Sequence, residues 1–199
     1  MVSSTERAIF ERWKSGKKAT ISEVIEVTKP IMEDICIKPR YVQGNMNQTL
    51  KETFGTTKKT DKIAVIGGTT KQLERAGVPK GFGGWSAEVE DKHKKLRLIY
   101  INTDMPPESQ VLTLAHETGH HVLKEAANPR TPVYKPHTKS ERSAKTVERA
   151  FGERWNDKYK TQEFEFAYKK TGAIKKHKGD NTHIRNNLKP QYSKKGCKW

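Results

Sequence analysis

Cysteine is nearly absent: Cys36 and Cys197 stand alone in 199 residues, too few and too far apart for a Cys-x-x-Cys metal pair or a disulfide framework. The expectation is two unpaired thiols in a reducing, cytoplasmic compartment, with Cys36 in Asp34-Ile35-Cys36-Ile37 a small buried hydrophobe. Long apolar runs are missing too. None approaches the roughly 20 residues of a membrane span, and Met1-Val-Ser-Ser-Thr-Glu-Arg7 has no secretory pattern, so no membrane partner is expected. Acidic residues are scarce toward the C-terminus. From Lys169 onward Asp180 is the single acid, against Lys169, Lys170, Lys175, Lys176, Lys178, Arg185, Lys189, Lys194, Lys195 and Lys198. With few large apolar residues to bury, 169–199 reads as a basic, flexible tail. The net charge of +16 extends that bias to the whole chain and points to polyanions, nucleic acid among them, as partners bound with strong salt dependence.

What is present divides into a helical beginning and a mixed middle. Ser3-Ser-Thr-Glu6 ahead of Ala8, Ile9, Phe10 and Trp13 reads as a capped helix ending near Gly16. Thr20-Ile-Ser-Glu23 repeats the capping pattern before Val24, Ile25 and Val27, with Pro30 expected to interrupt the helix and open another turn through Ile35. Asn47 to Phe54 reads as a further short helix, so that 1–60 forms a helical N-terminal region without visible chemistry. From 61 the pattern changes. Lys62-Ile-Ala-Val-Ile66 is a strand closed by Gly67-Gly68, Gln72–Ala76 a small helix, and Gly81-Phe-Gly-Gly84 a loop. Trp85 to Glu90 alternates apolar and polar, Asp91–Lys94 turns, and Leu96 to Asn102 returns, which makes a hairpin. His93 falls in that turn.

The segment after the hairpin carries the chemistry. Pro106-Pro107-Glu108 is a helix start, since proline is tolerated in a first turn and an acid complements the dipole there. Val111, Leu114, Ala115, Thr118 and Val122 form one stripe, and Asn128-Pro129 stops the chain. On that helix lies His116-Glu117-Thr118-Gly119-His120. Residues four apart share a helix face, so both imidazoles can reach one metal ion with Glu117 beside them as general base, the helical zinc-peptidase arrangement. Gly119 weakens a helix by about 1 kcal/mol relative to Ala, and its small size is explained by crowding near the ligands or the sheet. His121 points about 100° away from His120 and reads as a surface imidazole.

Zinc needs a third protein ligand. A downstream His at metzincin spacing is excluded, because Leu123 stands where glycine is required and Ala126 where the His belongs. A second helix, Glu141 to Trp155, brings Ala144, Glu148, Phe151 and Trp155 onto one stripe with Val147 adjacent. A carboxylate among apolar neighbours is costly unless paired or metal-bound, which selects Glu148. Glu141, two turns earlier on that face, is the main rival, with His137 and Glu125 behind it. Tyr134, His137 and Tyr159 are available to stabilise an oxyanion.

These pieces resemble the ImmA/IrrE-like zinc peptidases of bacteria and their mobile elements. The resemblance rests on Leu98-Ile-Tyr-Ile-Asn102, on Leu112-Thr-Leu-Ala-His-Glu-Thr-Gly-His120, and on Glu141-Arg-Ser-Ala144 or Glu148-Arg-Ala150. It covers about residues 60 to 160, and Trp155-Asn-Asp157 replaces the Leu-rich, Pro-ended continuation usual in that group. It implies an α+β, zincin-like fold: a small antiparallel or mixed sheet packed on the motif helix and a second ligand-bearing helix, with a core at 61–168. It also implies Zn2+ held by His116, His120 and a second-helix glutamate, either Glu141 or the Glu148 selected above, with Glu117 catalytic, and a protein substrate inside the cell, often a DNA-bound regulator. A DNA–protein-crosslink protease of the SprT-like kind is the neighbouring enzyme reading, for which His137 in Lys-Pro-His-Thr is a poor match. The non-enzymatic reading is a basic nucleic-acid-binding or virion structural protein that keeps the same core as scaffold.

Overall fold

The computed structural model describes residues 2–55, 61–91, 94–124, 139–160 and 182–197. Four helices begin with the reciprocal cap in which a hydroxyl accepts from the third helical N–H and the Glu or Gln there accepts from the cap N–H. They are α1 (Ser4–Lys14), α2 (Ile21–Asp34), α3 (Leu50–Phe54) and α4 (Thr70–Arg75), capped by Ser3, Thr20, Thr49 and Thr69. Pro30 does not divide α2, which runs through it to Asp34. The helix ends in a Schellman turn: Ile37 N–H donates to Met32 O and Cys36 N–H to Glu33 O, with Cys36 at φ +69° where glycine is usual.

The sheet is mixed, in the order β1 (Arg40–Gly44), β2 (Lys62–Gly68), β4 (Lys94–Asn102), β3 (Gly84–Asp91). β1, β2 and β4 run parallel, and β3 returns antiparallel along β4. β2 is buried on both faces, which explains why its Ile63-Ala-Val-Ile66 run is continuous rather than alternating. β4 alternates between two cores. Ile99 and Ile101 join the main one with α2 and α5 (Pro107–Val122), while Leu96 and Leu98 join a smaller one with Phe54 of α3. β1 lies within the first 60 residues, so that region contributes a sheet edge as well as helices. Its sequence, Arg-Tyr-Val-Gln-Gly, gave no strand signal of its own.

α6 (Lys139–Tyr159) packs antiparallel to α5, as the pairings of His116 with Glu148 and of His120 with Ser140 require. Ala144, Val147, Phe151 and Trp155 enter the main core, as their spacing predicts. Gly119 is the point of closest approach: a Cβ there would lie 2.7 Å from the Ala144 Cα. The backbone of α6, and not the ligands or the sheet, therefore requires the glycine. Among the described residues no helix is long and apolar enough to cross a membrane.

The C-terminal region departs from expectation. Residues 182–197 are folded onto the core as α7 (Thr182–Asn187) and a 3-10 turn (Pro190–Tyr192), with Ile184, Leu188 and Tyr192 buried. Single bridges pair Leu123 with Leu188 and Ile37 with Ser193. Cys36 and Cys197 form a disulfide with their Cα atoms 5.7 Å apart. Sequence separation of 161 residues concealed a pairing that the returning chain creates. Three spaced apolar residues and the disulfide together hold a segment whose average composition is polar. Most of the lysine cluster lies outside the described residues.

Candidate metal centre

β4 ends in Asn102, whose side chain organises the turn into α5. Its Nδ2 donates to Thr70 Oγ1 (2.9 Å), its Oδ1 accepts from the Asp104 N–H (2.9 Å), and Gln110 Nε2 donates to Met105 O (2.8 Å). This connection aims α5 across the sheet. Val111, Leu114, Ala115 and Val122 bury one side of the helix, while Thr118 donates to Leu114 O and meets the Tyr41 hydroxyl of β1 at 2.7 Å. Both motif imidazoles are thereby turned toward the start of α6.

His116, His120 and Glu141 each offer one ligand atom, all within 4.8 Å of one another. Nε2 of His116 lies 3.4 Å from Glu141 Oε1, and Nε2 of His120 lies 3.5 Å from Glu141 Oε2. Ligands about 2.0–2.1 Å from a tetrahedral zinc are separated from each other by roughly 3.3 Å, so the donor set and its spacing fit that ion. Glu148 is elsewhere. Its Oε2 takes the other nitrogen of His116, Nδ1, at 2.6 Å. Ser140 does the same for His120, with Oγ 2.8 Å from Nδ1. Each imidazole is thus held from behind by α6 while its Nε2 faces forward, the arrangement by which outer partners fix ring orientation. Glu148, selected as third ligand from the sequence, meets His116 at Nδ1 and lies outside this group of three. The antiparallel crossing at Gly119 sets Glu148 level with the back of His116 and brings Glu141 level with both Nε2 atoms.

Burial and neighbouring charges together shift the two imidazoles in opposite directions. Burial lowers the His116 imidazole, but hydrogen bonds to Glu141 and Glu148 and the charge of Glu117 outweigh it and raise its pKa to about 10. Burial and the neighbouring His116 hold His120 down, to about 4. Glu117 is buried and points to β3, where the Ser86 side chain and backbone N–H bond it. Desolvation pushes its carboxyl up from the ordinary range, the direction a general base working near neutral pH requires. Gly84 admits this approach of β3: a Cβ there would lie 2.4 Å from Thr113 Cγ2 and 3.2 Å from Glu117 Cγ.

Other expectations fall differently. His121 is buried rather than on the surface, 2% exposed, and Nε2 donates to Leu98 O at 3.0 Å. Burial lowers its pKa to about 3, so it joins α5 to β4 as a neutral ring. Tyr159 donates to Glu6 Oε1 (2.6 Å) at the far end of α6, which removes it as an oxyanion stabiliser. His93, Glu125, Tyr134 and His137 lie outside the described residues. Ser86 and Ser140 were not singled out in the sequence. The adjacency Ser140-Glu141 was their one legible sign, a small polar residue beside a candidate ligand.

A helical His-Glu-x-x-His pair facing a carboxylate from an antiparallel second helix defines a candidate metallopeptidase centre. Residues 80–169, which include β3, β4, α5 and α6, match the peptidase family described as the IrrE N-terminal-like domain, a finding that supports the resemblance to the ImmA/IrrE-like peptidases. No curated protein and no solved structure matches the chain.

Proposed function

We propose that the protein is a zinc-dependent endopeptidase of zincin-like architecture, in which His116, His120 and Glu141 hold the ion and Glu117 is the general base. The observation that carries this is the convergence of two Nε2 atoms on one carboxylate with both Nδ1 atoms already engaged. When bound, a zinc ion brings the pKa of a coordinated water toward neutrality and polarises a carbonyl. The chain's own residues do the rest. Glu117, held by Ser86, accepts the proton of the attacking water and delivers it to the leaving amine. Glu148 and Ser140 keep the imidazoles in one tautomer and orientation through the cycle.

The substrate is a peptide in extended form. Of the two hairpin strands, β4 is paired on both sides, whereas β3 is an edge beside the site among the described residues. An edge offers unpaired backbone groups for strand addition. The resemblance favours an intracellular, DNA-associated protein as target, and the charge of +16 suits work near a polyanion. A retained scaffold gives no reason to keep Glu117, Glu141 and Glu148 clustered and largely buried around two imidazoles.

Glu117→Gln tests the mechanism. The variant is expected to bind zinc stoichiometrically and to lose turnover of a protein substrate by at least 100-fold, in line with the usual worth of a general base. Cleavage by this variant at the wild-type rate refutes the assignment.

A further inference from the structure

We propose that the cavity beside His116 is a side-chain subsite that selects an apolar residue next to the scissile bond. This rests on the peptidase reading above. The cavity, of about 190 Å3, is lined by Phe82, Gly83, Gly84, Leu112 and Thr113 and closes on His116, Glu117 and Glu148. Small-molecule and cofactor sites commonly run to about 300–1,000 Å3, so this space is cut for one side chain. Its position is specific. It opens at the start of the edge strand β3 and ends at the first motif imidazole and the general base. A peptide laid along β3 with a carbonyl at that end therefore sends a flanking side chain inside.

The walls set the chemistry. Phe82 is fixed edge-to-face on Trp85, centroids 5.5 Å apart and planes at 89°, and faces the cavity together with Leu112 from the first half of α5. The floor is bare backbone. A Cβ on Gly83 would lie 2.6 Å from Met105 Sδ and one on Gly84 2.4 Å from Thr113 Cγ2, so side chains have no room there and the floor stays flat. Glu117 and Glu148 are the carboxylates of the lining, but Ser86 bonds Glu117 and the Glu148 Oε2 holds the His116 Nδ1 at 2.6 Å. A lysine or arginine entering the subsite would compete for that carboxylate and disturb the imidazole. A leucine, isoleucine, methionine or phenylalanine packs on Phe82 and Leu112 without touching it.

The test exposes a proteome-derived peptide library to the zinc-loaded protein and reads cleavage sites by mass spectrometry. Separately, N-acetyl-leucine hydroxamate and N-acetyl-glycine hydroxamate are titrated calorimetrically against the same protein. The subsite requires Leu, Ile, Met or Phe to dominate one position flanking the cut, and the leucine compound to bind at least tenfold more tightly than the glycine compound. Leu112→Trp should fill the cavity, lower kcat/KM at leucine sites at least tenfold relative to alanine sites, and equalise the two hydroxamates. Leu112→Ala should move the preference toward larger aromatic residues. Cleavage without a flanking preference, a preference for Lys or Arg, or a profile unchanged in Leu112→Trp overturns the subsite and leaves the peptidase standing. Tighter binding of the leucine compound by a protein that cleaves nothing supports the subsite and overturns the peptidase. Equal or absent binding of both hydroxamates overturns the subsite whatever the turnover.

Discussion

Zinc affinity in variants of Glu141 and Glu148 separates two carboxylates that stand seven residues apart on one helix. Glu148 touches His116 Nδ1 at 2.6 Å, whereas Glu141 lies 3.4 and 3.5 Å from the two Nε2 atoms. Loss of an outer partner of a ligating histidine costs about 10- to 100-fold in metal affinity, or roughly 1.4–2.7 kcal/mol. Glu148→Ala is therefore expected to weaken zinc by that factor. Glu148→Gln, whose amide oxygen still accepts from Nδ1–H, should remain within about tenfold of wild type. Glu141→Ala removes one of the three proposed protein ligands and should exceed about 100-fold, and Glu141→Gln should fare little better, because a neutral amide lacks the charge that the ion requires. Competition with a chromophoric chelator at fixed pH and ionic strength measures all four. If Glu148→Ala releases zinc while Glu141→Ala keeps wild-type affinity, the assignment of inner and outer carboxylates is reversed and the reasoning from nitrogen positions fails.

Three further outcomes are expected. Gly119→Ala gains about 1 kcal/mol of helix propensity, yet its Cβ meets the Ala144 Cα at 2.7 Å; chemical denaturation should show net destabilisation of about 1–2 kcal/mol, and a stabilised variant would contradict the helix contact. Tyr192→Ala empties a fully buried position in the C-terminal segment and should cost about 3 kcal/mol or more, where a flexible tail would show no change. Burial raises the Glu6 carboxyl, but hydrogen bonds from Lys158, Tyr159 and the Ser3 N–H and the charge of Lys158 bring it down to about 2 from an ordinary 4.5. A lowered folded-state pKa means that the contribution is complete above the unfolded value and disappears as pH falls from about 5 toward 2, so Glu6→Gln should lose about 3 kcal/mol at pH 7 and match wild type near pH 2 in urea unfolding.

The motif helix, the hairpin ahead of it and the buried stripe of α6 were legible because each obeys a local rule. Pro106-Pro107 opens a helix, the 3.6-residue period places Val111, Leu114 and Val122 inside, and alternation along Trp85–Glu90 marks a half-buried strand. The capping boxes at Ser3 and Thr20 were equally readable, since their hydrogen bonds span three residues. β1 was not, because Arg40–Gly44 has no alternation and exists through its pairing with β2. The C-terminal segment was misjudged for a related reason: its lysines dominate the average, while Ile184, Leu188 and Tyr192 acquire a core only when the chain returns.

The sequence alone determined that two imidazoles and a carboxylate share one helix, since His116, Glu117 and His120 are placed by backbone geometry within a single turn. Which acid faces them was beyond its reach. Glu141 and Glu148 lie on the same face of α6, and local periodicity treats them alike. The choice between them came from the antiparallel crossing at Gly119, which sets the register of the two helices and so directs one carboxylate to the Nε2 atoms and the other to Nδ1. The same holds for the Cys36–Cys197 bond and for Ser86 on Glu117. Each depends on where two distant stretches of chain meet, a distance that no spacing in the sequence encodes.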